Sequence, residues 1–262
     1  MSIEKSDKRF ASTLARGLTI LRIFRPVDDG LSNLEISQRS GIPRPTVSRL
    51  TYTLCALGYL THGKRHDKYR LGPAALALGN IAAASFDFVH TATPIMQGLA
   101  DNTGTLIAVA IQDDGGMLLA KTWRPAGSPP IWMDAGYRMP MDGSSCGKAF
   151  LGALSPKEFQ TFLTRQGDAG PDQLDALYDL HATARKELGA LGFAMTCGEG
   201  RYTQAIHAAA VPFRPSEFAE PVAFLTGGPA SALSDAHIRD VVGAELVAAV
   251  AELQLRMEQP AT

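Results

Sequence analysis

Residues 41–50 read GIPRPTVSRL, a glycine and two prolines set directly before a run with helical spacing. Proline fixes φ and lacks an N–H, so it is tolerated in the first helical turn and costs about 3 kcal/mol deeper in a helix. Pro43 and Pro45 therefore mark a helix start. From there Val47, Leu50, Leu54 and Leu57 fall at the i, i+3, i+7, i+10 spacing of one apolar face. Gly58 suits the cap that ends it. The other face carries Arg44, Thr46, Ser48, Arg49 and Tyr52, all hydrogen-bonding and two of them cationic.

Upstream, SNLEISQRSG (32–41) opens with Ser32 and Glu35 in the S-x-x-E relation of a capping box, which predicts a short helix to about Ser40 with Gly41 as its cap. TLARGLTILRIFRP (13–26) places Leu14, Leu18 and Leu21 on one helical face and stops at Pro26. Two helices joined by a short Gly-containing turn make a helix-turn-helix. Downstream, YLTHGKRHDKYRLG (59–72) reads as two short strands around a basic tip, a wing. PAALALGNIAAAS (73–85) reads as an uncharged linker helix that packs on something, a second subunit included.

Charge follows the same division. Residues 1–72 hold 13 Lys or Arg against 6 Asp or Glu, whereas residues 73–262 hold 12 against 20. A basic first quarter on a near-neutral chain points to a polyanion partner. At 262 residues the chain has room for two domains, and its 45% apolar content can build real cores. No apolar run reaches the length of a membrane span, and MSIEKSDKRF is too polar for a signal peptide, so a cytoplasmic location is expected. Cys55, Cys146 and Cys197 are odd in number and widely spaced, which predicts reduced thiols without a disulfide framework or metal knuckle.

Residues 86–259 alternate element types. A helix over 86–103 is followed by a hairpin in TLIAVAIQDDGGMLLAKTW (105–123), strand and loop in 131–141, and helices in 148–154, 155–166 and 174–193. Strands at 207–213 and 221–228 precede one closing amphipathic helix over 234–259. This predicts a sheet flanked by helices, with no internal repeat.

Two motifs in order then resemble a known family. LARGLTILRIF, LSNLEISQRSGIPRPTVSRL and LGYL…KYRLG resemble the winged helix-turn-helix of the IclR family of bacterial transcription regulators. GYRMPMDGSSCGKAFLGAL and AVPFRP…EPVAFLTGGPAS resemble its effector-domain signature and closing strands. The resemblance spans about residues 12–256 and implies an α+β multidomain chain: an N-terminal winged helix-turn-helix (12–72), a linker helix (73–85) and a C-terminal GAF-like α/β effector domain (86–258). It implies a ligand-responsive regulator of a catabolic operon, a homodimer or tetramer on double-stranded operator DNA, with an aromatic or small organic acid as effector and no cofactor or metal. The DNA-binding set is Arg44, Thr46, Ser48, Arg49 and Tyr52 with Lys64, Arg65 and Lys68 in the wing. The family's pocket positions align with Ser145, Cys146, Cys197, His207, Leu225 and Gly227. Family members often carry Ala or Gly at the first two and Ser at the last two. Trp132, Met133 and Phe224 suggest a more apolar pocket here, favouring an aromatic ligand.

The physical reasons stand beside the resemblance. Side chains at the start of a groove-bound helix meet base edges, and arginine reads guanine best. The rival reading is an acyl-transfer enzyme, because GSSCG (143–147) fits the Gly-x-Ser-x-Gly elbow between a strand-like and a helix-like segment. Asp175 or Asp179 with His207 or His237 are its formal partners, but no H-G-G-G segment accompanies them. The same residues miss a P-loop, since the spacing is one short and Ala149 replaces the magnesium-binding hydroxyl. Cys146, Cys197 and His207 lack the close pair of a zinc site.

Overall fold

The computed structural model describes residues 9–63, 68–127, 133–165, 170–196 and 201–258. The chain divides into two compact units, Met1–Ser85 and Phe86–Thr262.

In the first unit, α1 (Ser12–Arg22), α2 (Asn33–Ser40) and α3 (Arg44–Ala56) precede an antiparallel wing, β1 (Leu60–His62) and β2 (Tyr69–Leu71), and then α4 (Pro73–Ala84). Local signals set the boundaries. The Ser32 hydroxyl accepts from Glu35 N while Glu35 accepts from Ser32 N, the reciprocal box the sequence predicts. Gly41 ends α2 at φ 68°, a left-handed conformation glycine adopts without cost, and Pro43 is the N-cap of α3. Ile20, Leu31, Ile36, Val47, Leu54 and Leu60 form one buried core.

Two features differ from the expectation. Leu14 and Leu18 are 63% and 51% exposed, while Gly17 and Ile20 are the buried residues of α1. That helix carries two apolar stripes, and spacing alone does not say which one meets the core. The wing also gains a third edge, because Leu31 and Tyr69 exchange both backbone hydrogen bonds, at 2.9 and 2.7 Å. Gly30 allows this at φ 77°, where a Cβ would lie 2.9 Å from the Tyr69 carbonyl oxygen. Bidentate contact of Arg39 with Asp28 (2.7 and 2.9 Å) and the Arg70–Asp29 pair tie the connecting loop to α2 and β2. The Arg39 contact holds the Asp28 carboxyl below its ordinary value.

The second unit is a six-stranded sheet between helical layers, in strand order β5-β4-β3-β8-β7-β6, every pair antiparallel. The strands are β3 (Leu106–Asp113), β4 (Gly116–Trp123), β5 (Arg138–Pro140), β6 (Ala194–Met195), β7 (Ile206–Phe213) and β8 (Val222–Pro229). Alternation divides them. Ile107, Val109, Ala209, Val211 and Phe224 face α5 (Asp87–Thr103) and α10 (Gly243–Glu258). Leu106, Ala108, Ile206, Ala210 and Leu225 face α6 (Ser145–Ala153), α7 (Pro156–Arg165) and α8 (Pro171–Leu191).

Here too boundaries shift. The helix expected over 174–193 ends at Leu191, because Gly192 caps it at φ 80°, and Ala194–Met195 pair as an edge strand. The single closing helix is instead α9 (Asp235–His237), a π-helical turn (Ile238–Val242) and α10. Gly243 sits where a Cβ would meet the Phe193 ring at 2.6 Å, so the widened turn lets the helix run close over that ring.

α7 begins with its own capping box: Ser155 N donates to Glu158 at 2.7 Å and Glu158 N to the Ser155 hydroxyl at 3.3 Å. Arg214 donates to both Glu158 oxygens, at 2.9 and 3.0 Å. The Arg214 bonds first, then those from Ser155, hold the carboxyl at about 2 against an ordinary 4.5. A carboxylate depressed in the folded state stabilises above its unfolded value and loses that contribution as pH falls through the folded one. Glu158→Gln should therefore melt below the parent at pH 7, by under about 1 kcal/mol for so exposed a pair. The gap should close between pH 4.5 and 2. Thermal denaturation across that window checks it.

Candidate functional site

The N-terminal surface offers cations without structural employment. Arg44, Ser48 and Arg49 are exposed, Tyr52 is 78% exposed and Thr46 is half-buried. Arg39 and Arg70 are paired with Asp28 and Asp29, whereas neither Arg44 nor Arg49 forms an ion pair with a described residue. Thr46, Ser48, Arg49 and Tyr52 line an open groove of about 590 Å³ shared with Thr13 and Arg16 of α1. Arg44 stands at the helix start outside that groove. The α1 contribution was not apparent from sequence, since only folding brings Arg16 beside α3. Of the wing residues, Lys68 is half-buried beside β2, and Lys64 and Arg65 lie outside the described residues.

In the second unit the GSSCG segment turns from β5 into α6. Ser144 is the N-cap: its hydroxyl accepts from Gly147 N at 3.1 Å and donates to the Pro140 carbonyl at 2.6 Å. Ser145 and Cys146 follow, both buried. Met133, Met139, Ser145, Tyr202, Ile206 and Leu225 are among the residues that line a small, partly enclosed cavity here. Its free space is about 10 Å³, room for one water. The Cys146 thiol lies behind the wall, 3.9 Å from the Met139 sulfur, and burial pushes it to about 11, so it is a neutral thiol near pH 7.

Not every expected pocket residue gathers there. Gly227 shares the face of Leu225 but is buried against β7, where a Cβ would meet the His207 carbonyl oxygen at 3.1 Å, and it does not line the cavity. His207 is on the opposite face: Ile206 and Ala208 point to the cavity, so the residue between them points away. Phe224 likewise stacks on Trp123 in the far layer. Cys197 and Trp132 lie outside the described residues.

Lys148, Glu187, Arg201 and Tyr202, to which sequence reading gave no role, hold the site. Lys148 of the signature bonds Glu187 on α8 and donates to the Met195 carbonyl at 2.8 Å, and Glu187 accepts from Met195 N at 2.9 Å. This ties α6 and α8 to β6. Arg201, whose side chain is 6% exposed, bonds Asp235 and donates to the Thr196 carbonyl at 3.1 Å. Tyr202 N donates to the Gly143 carbonyl at 3.0 Å, and burial, with Tyr137 and Cys146 nearby, raises its phenol. Glu187→Ala should cost about 2 kcal/mol, because it leaves the Lys148 ammonium without its counter-charge and the Met195 amide without its carboxylate acceptor in a half-buried place. A chemical-denaturation midpoint equal to the parent's would overturn that.

Among the described residues nothing around Ser145 assembles an elbow. No described histidine hydrogen-bonds it; His207 faces the other layer, His237 is on α9, and His181 stacks on Phe159 and reaches the Leu154 carbonyl. Among the described residues no group of three His, Cys, Asp or Glu could hold a metal, and no helix is long and apolar enough to cross a membrane.

Residues 13–63 match the IclR helix-turn-helix domain, and residues 81–252 match the bacterial transcriptional regulator IclR C-terminal domain. The HTH-type transcriptional regulator TsaQ1/TsaQ2 of Comamonas testosteroni is 26% identical over 97% of this chain and 91% of its own. The Pca regulon regulatory protein of Pseudomonas putida is 29% identical over 61% of this chain and 54% of its own. The crystal structure of an IclR family regulator from Brucella abortus superposes with a TM-score of 0.78 at 30% identity, covering 97% of this chain and 95% of that one. An IclR homologue from Microbacterium hydrocarbonoxydans complexed with 4-hydroxybenzoate shares the fold, with a TM-score of 0.68 at 19% identity over 94% and 97% of the two chains. The matched families and relatives are transcriptional regulators, and they give the hydrolase reading of GSSCG no support. With a basic helix-turn-helix surface, an α/β domain closing on a small cavity and both family domains matched in order, the chain belongs to the IclR family of DNA-binding transcriptional regulators.

Proposed function

We propose that this regulator controls a catabolic operon and responds to a small aromatic or aliphatic acid held at the start of α6. The carrying observation is the cavity itself: apolar walls from Met133, Met139, Ile206 and Leu225, with Ser145 and Tyr202 as its polar points. With Thr196 and Arg201 also on its wall, such a mixture suits a small molecule with an apolar body and a few polar or charged groups. The 4-hydroxybenzoate in a family member supports the aromatic choice. Ser145 and Leu225 would touch the effector, Cys146 and Gly227 would shape the wall, and His207 would act from behind β7. A cavity this tight admits an effector only in a second, wider arrangement, and an effector shifts DNA affinity only by preferring one arrangement.

On DNA, α3 would enter the major groove with Arg44, Thr46, Ser48, Arg49 and Tyr52, and Lys64, Arg65 and Lys68 would meet phosphates from the wing. Operator sites of this kind are read by symmetric dimers, and α4 suits such pairing: Leu76 and Ile81 are 66% and 69% exposed, and none of its residues is buried. Residues 12–72, 73–85 and 86–258 would then serve as reader, linker and sensor in the cytoplasm. Fluorescence anisotropy on DNA from upstream of its own gene, across salt concentrations and with unrelated competitor, tests the reading. Binding that survives competition and shifts with an added acid supports it; equal, purely salt-driven binding to both DNAs overturns it.

A further inference from the structure

We propose that Arg201 is the receptor for the acid group of the effector and that Asp235 occupies it until the effector arrives. The proposal rests on the effector pocket proposed above and assigns it a charge-reading residue and a built-in competitor. Arg201 lines the cavity with its side chain 94% withdrawn from solvent, on the same wall as Thr196 and Tyr202. An uncompensated guanidinium in such a place costs several kcal/mol. Asp235 supplies the compensating carboxylate, with both oxygens on the Arg201 guanidinium.

Asp235 is placed to let go. It opens the first turn of α9 beside the Ser234 cap, and its side chain is 34% exposed. Its Oδ1 also lies 3.2 Å from His207 Nδ1, a buried nitrogen that makes no hydrogen bond of good geometry with a described residue. A displaced Asp235 carboxylate therefore has water on one side and an underused imidazole on the other. Elsewhere on the cavity wall Met133, Met139, Ile206 and Leu225 offer apolar contact to whatever carries the acid.

The exchange conserves charge at Arg201: one carboxylate replaces another on a planar guanidinium that recognises both alike. A neutral molecule has no means of displacing Asp235 and meets a cavity with too little free space to hold it. Release is also felt across the sheet. Asp235 leads directly into the π-helical turn, whose Ile238 and Val242 belong to the core shared with α5 and α10. His207, placed on the far face by strand alternation, becomes the residue through which both faces sense Asp235.

Calorimetric titration of the full chain with benzoate and propionate, and with benzamide and propionamide as uncharged counterparts, tests this. Variants are Arg201→Gln, Asp235→Asn and, as a distant ion-pair control, Arg165→Gln, each checked by thermal melting. The parent should bind an acid at least tenfold tighter than its amide. Asp235→Asn should tighten the acid severalfold and leave the amide unchanged, and Arg201→Gln should bring the acid-to-amide ratio close to one. A parental ratio in Arg201→Gln, or acid binding weakened in Asp235→Asn as much as in Arg201→Gln, overturns the proposal. If the operator assay instead finds an uncharged effector, Arg201 loses its role and the sensor reading survives. If no small molecule in a broad metabolite screen moves operator binding, the sensor reading fails and takes the proposal with it.

Discussion

Arg44→Ala and Arg49→Ala should each weaken operator binding by one to two orders of magnitude while leaving thermal stability within about 0.5 kcal/mol of the parent, the range of exposed surface changes. The affinity loss follows from about 1–3 kcal/mol for a good arginine–base pair. The unchanged stability follows from exposure and from the lack of any ion pair with described residues for either side chain. Arg39→Ala provides the opposite pattern. Its guanidinium is spent on Asp28 and the Ile23 carbonyl, so its loss should lower the melting temperature and act on DNA only through folding. Salt separates the two roles open to Arg44 and Arg49. Loss of a phosphate contact reduces the slope of log affinity against log salt by about 0.9 and weakens all sequences alike. Loss of a base contact leaves the slope and erodes the preference for operator over competitor. Unchanged affinity and slope in both single variants would sink the assignment of α3 to the groove.

The helix-turn-helix was legible because its determinants are local. The capping box spans four residues, Ser32 to Glu35, and the turn into α3 needs only a glycine that tolerates φ 68° and a proline without an N–H. The third edge of the wing was not legible, since a single backbone exchange between Leu31 and Tyr69 leaves no periodic trace. The two stripes of α1 were ambiguous for a related reason: Leu14 and Leu18 repeat as well as the residues that enter the core, and only the arrangement of α2 and α3 decides. In the sensor unit the motif located Ser145 and Leu225 at the cavity, but alignment by position carried His207 with them across a strand whose alternation turns it away. The charged ties stayed hidden because their partners are distant, Glu187 being 39 residues from Lys148 and Asp235 34 from Arg201. Charge in a sequence reads as solvated surface until the fold supplies its counter-charge.

Gly147→Ala should be among the most damaging single-methyl changes in the chain, lowering the stability of the second unit by about 3 kcal/mol, the upper part of the overpacking range. The fifth letter of G-S-S-C-G-K, Gly147, is easily taken for catalytic punctuation, yet its reason is contact. A Cβ there would overlap the Met141 carbonyl oxygen and lie 2.7 and 2.9 Å from the Met141 carbonyl carbon and Cα. All three atoms are backbone, so no side chain can swing aside. The backbone itself is pinned, because Ser144 caps Gly147 N and donates to the Pro140 carbonyl, clamping the first turn of α6 onto the end of β5. Moving α6 outward would also strain Lys148, held between Glu187 and the Met195 carbonyl. For a unit of this size the loss corresponds to a fall in melting temperature of about 6–12 °C. The matched control is Gly98→Ala on α5, where a Cβ meets nothing within 4 Å. There the same methyl should stabilise by about 0.5–1 kcal/mol through helix propensity. Opposite signs in the two variants, read by calorimetric melting of the full chain, would place the glycine of the signature in the architecture of the pocket. A parental melting temperature for Gly147→Ala would mean that α6 does not sit on β5 as closely as the structure has it.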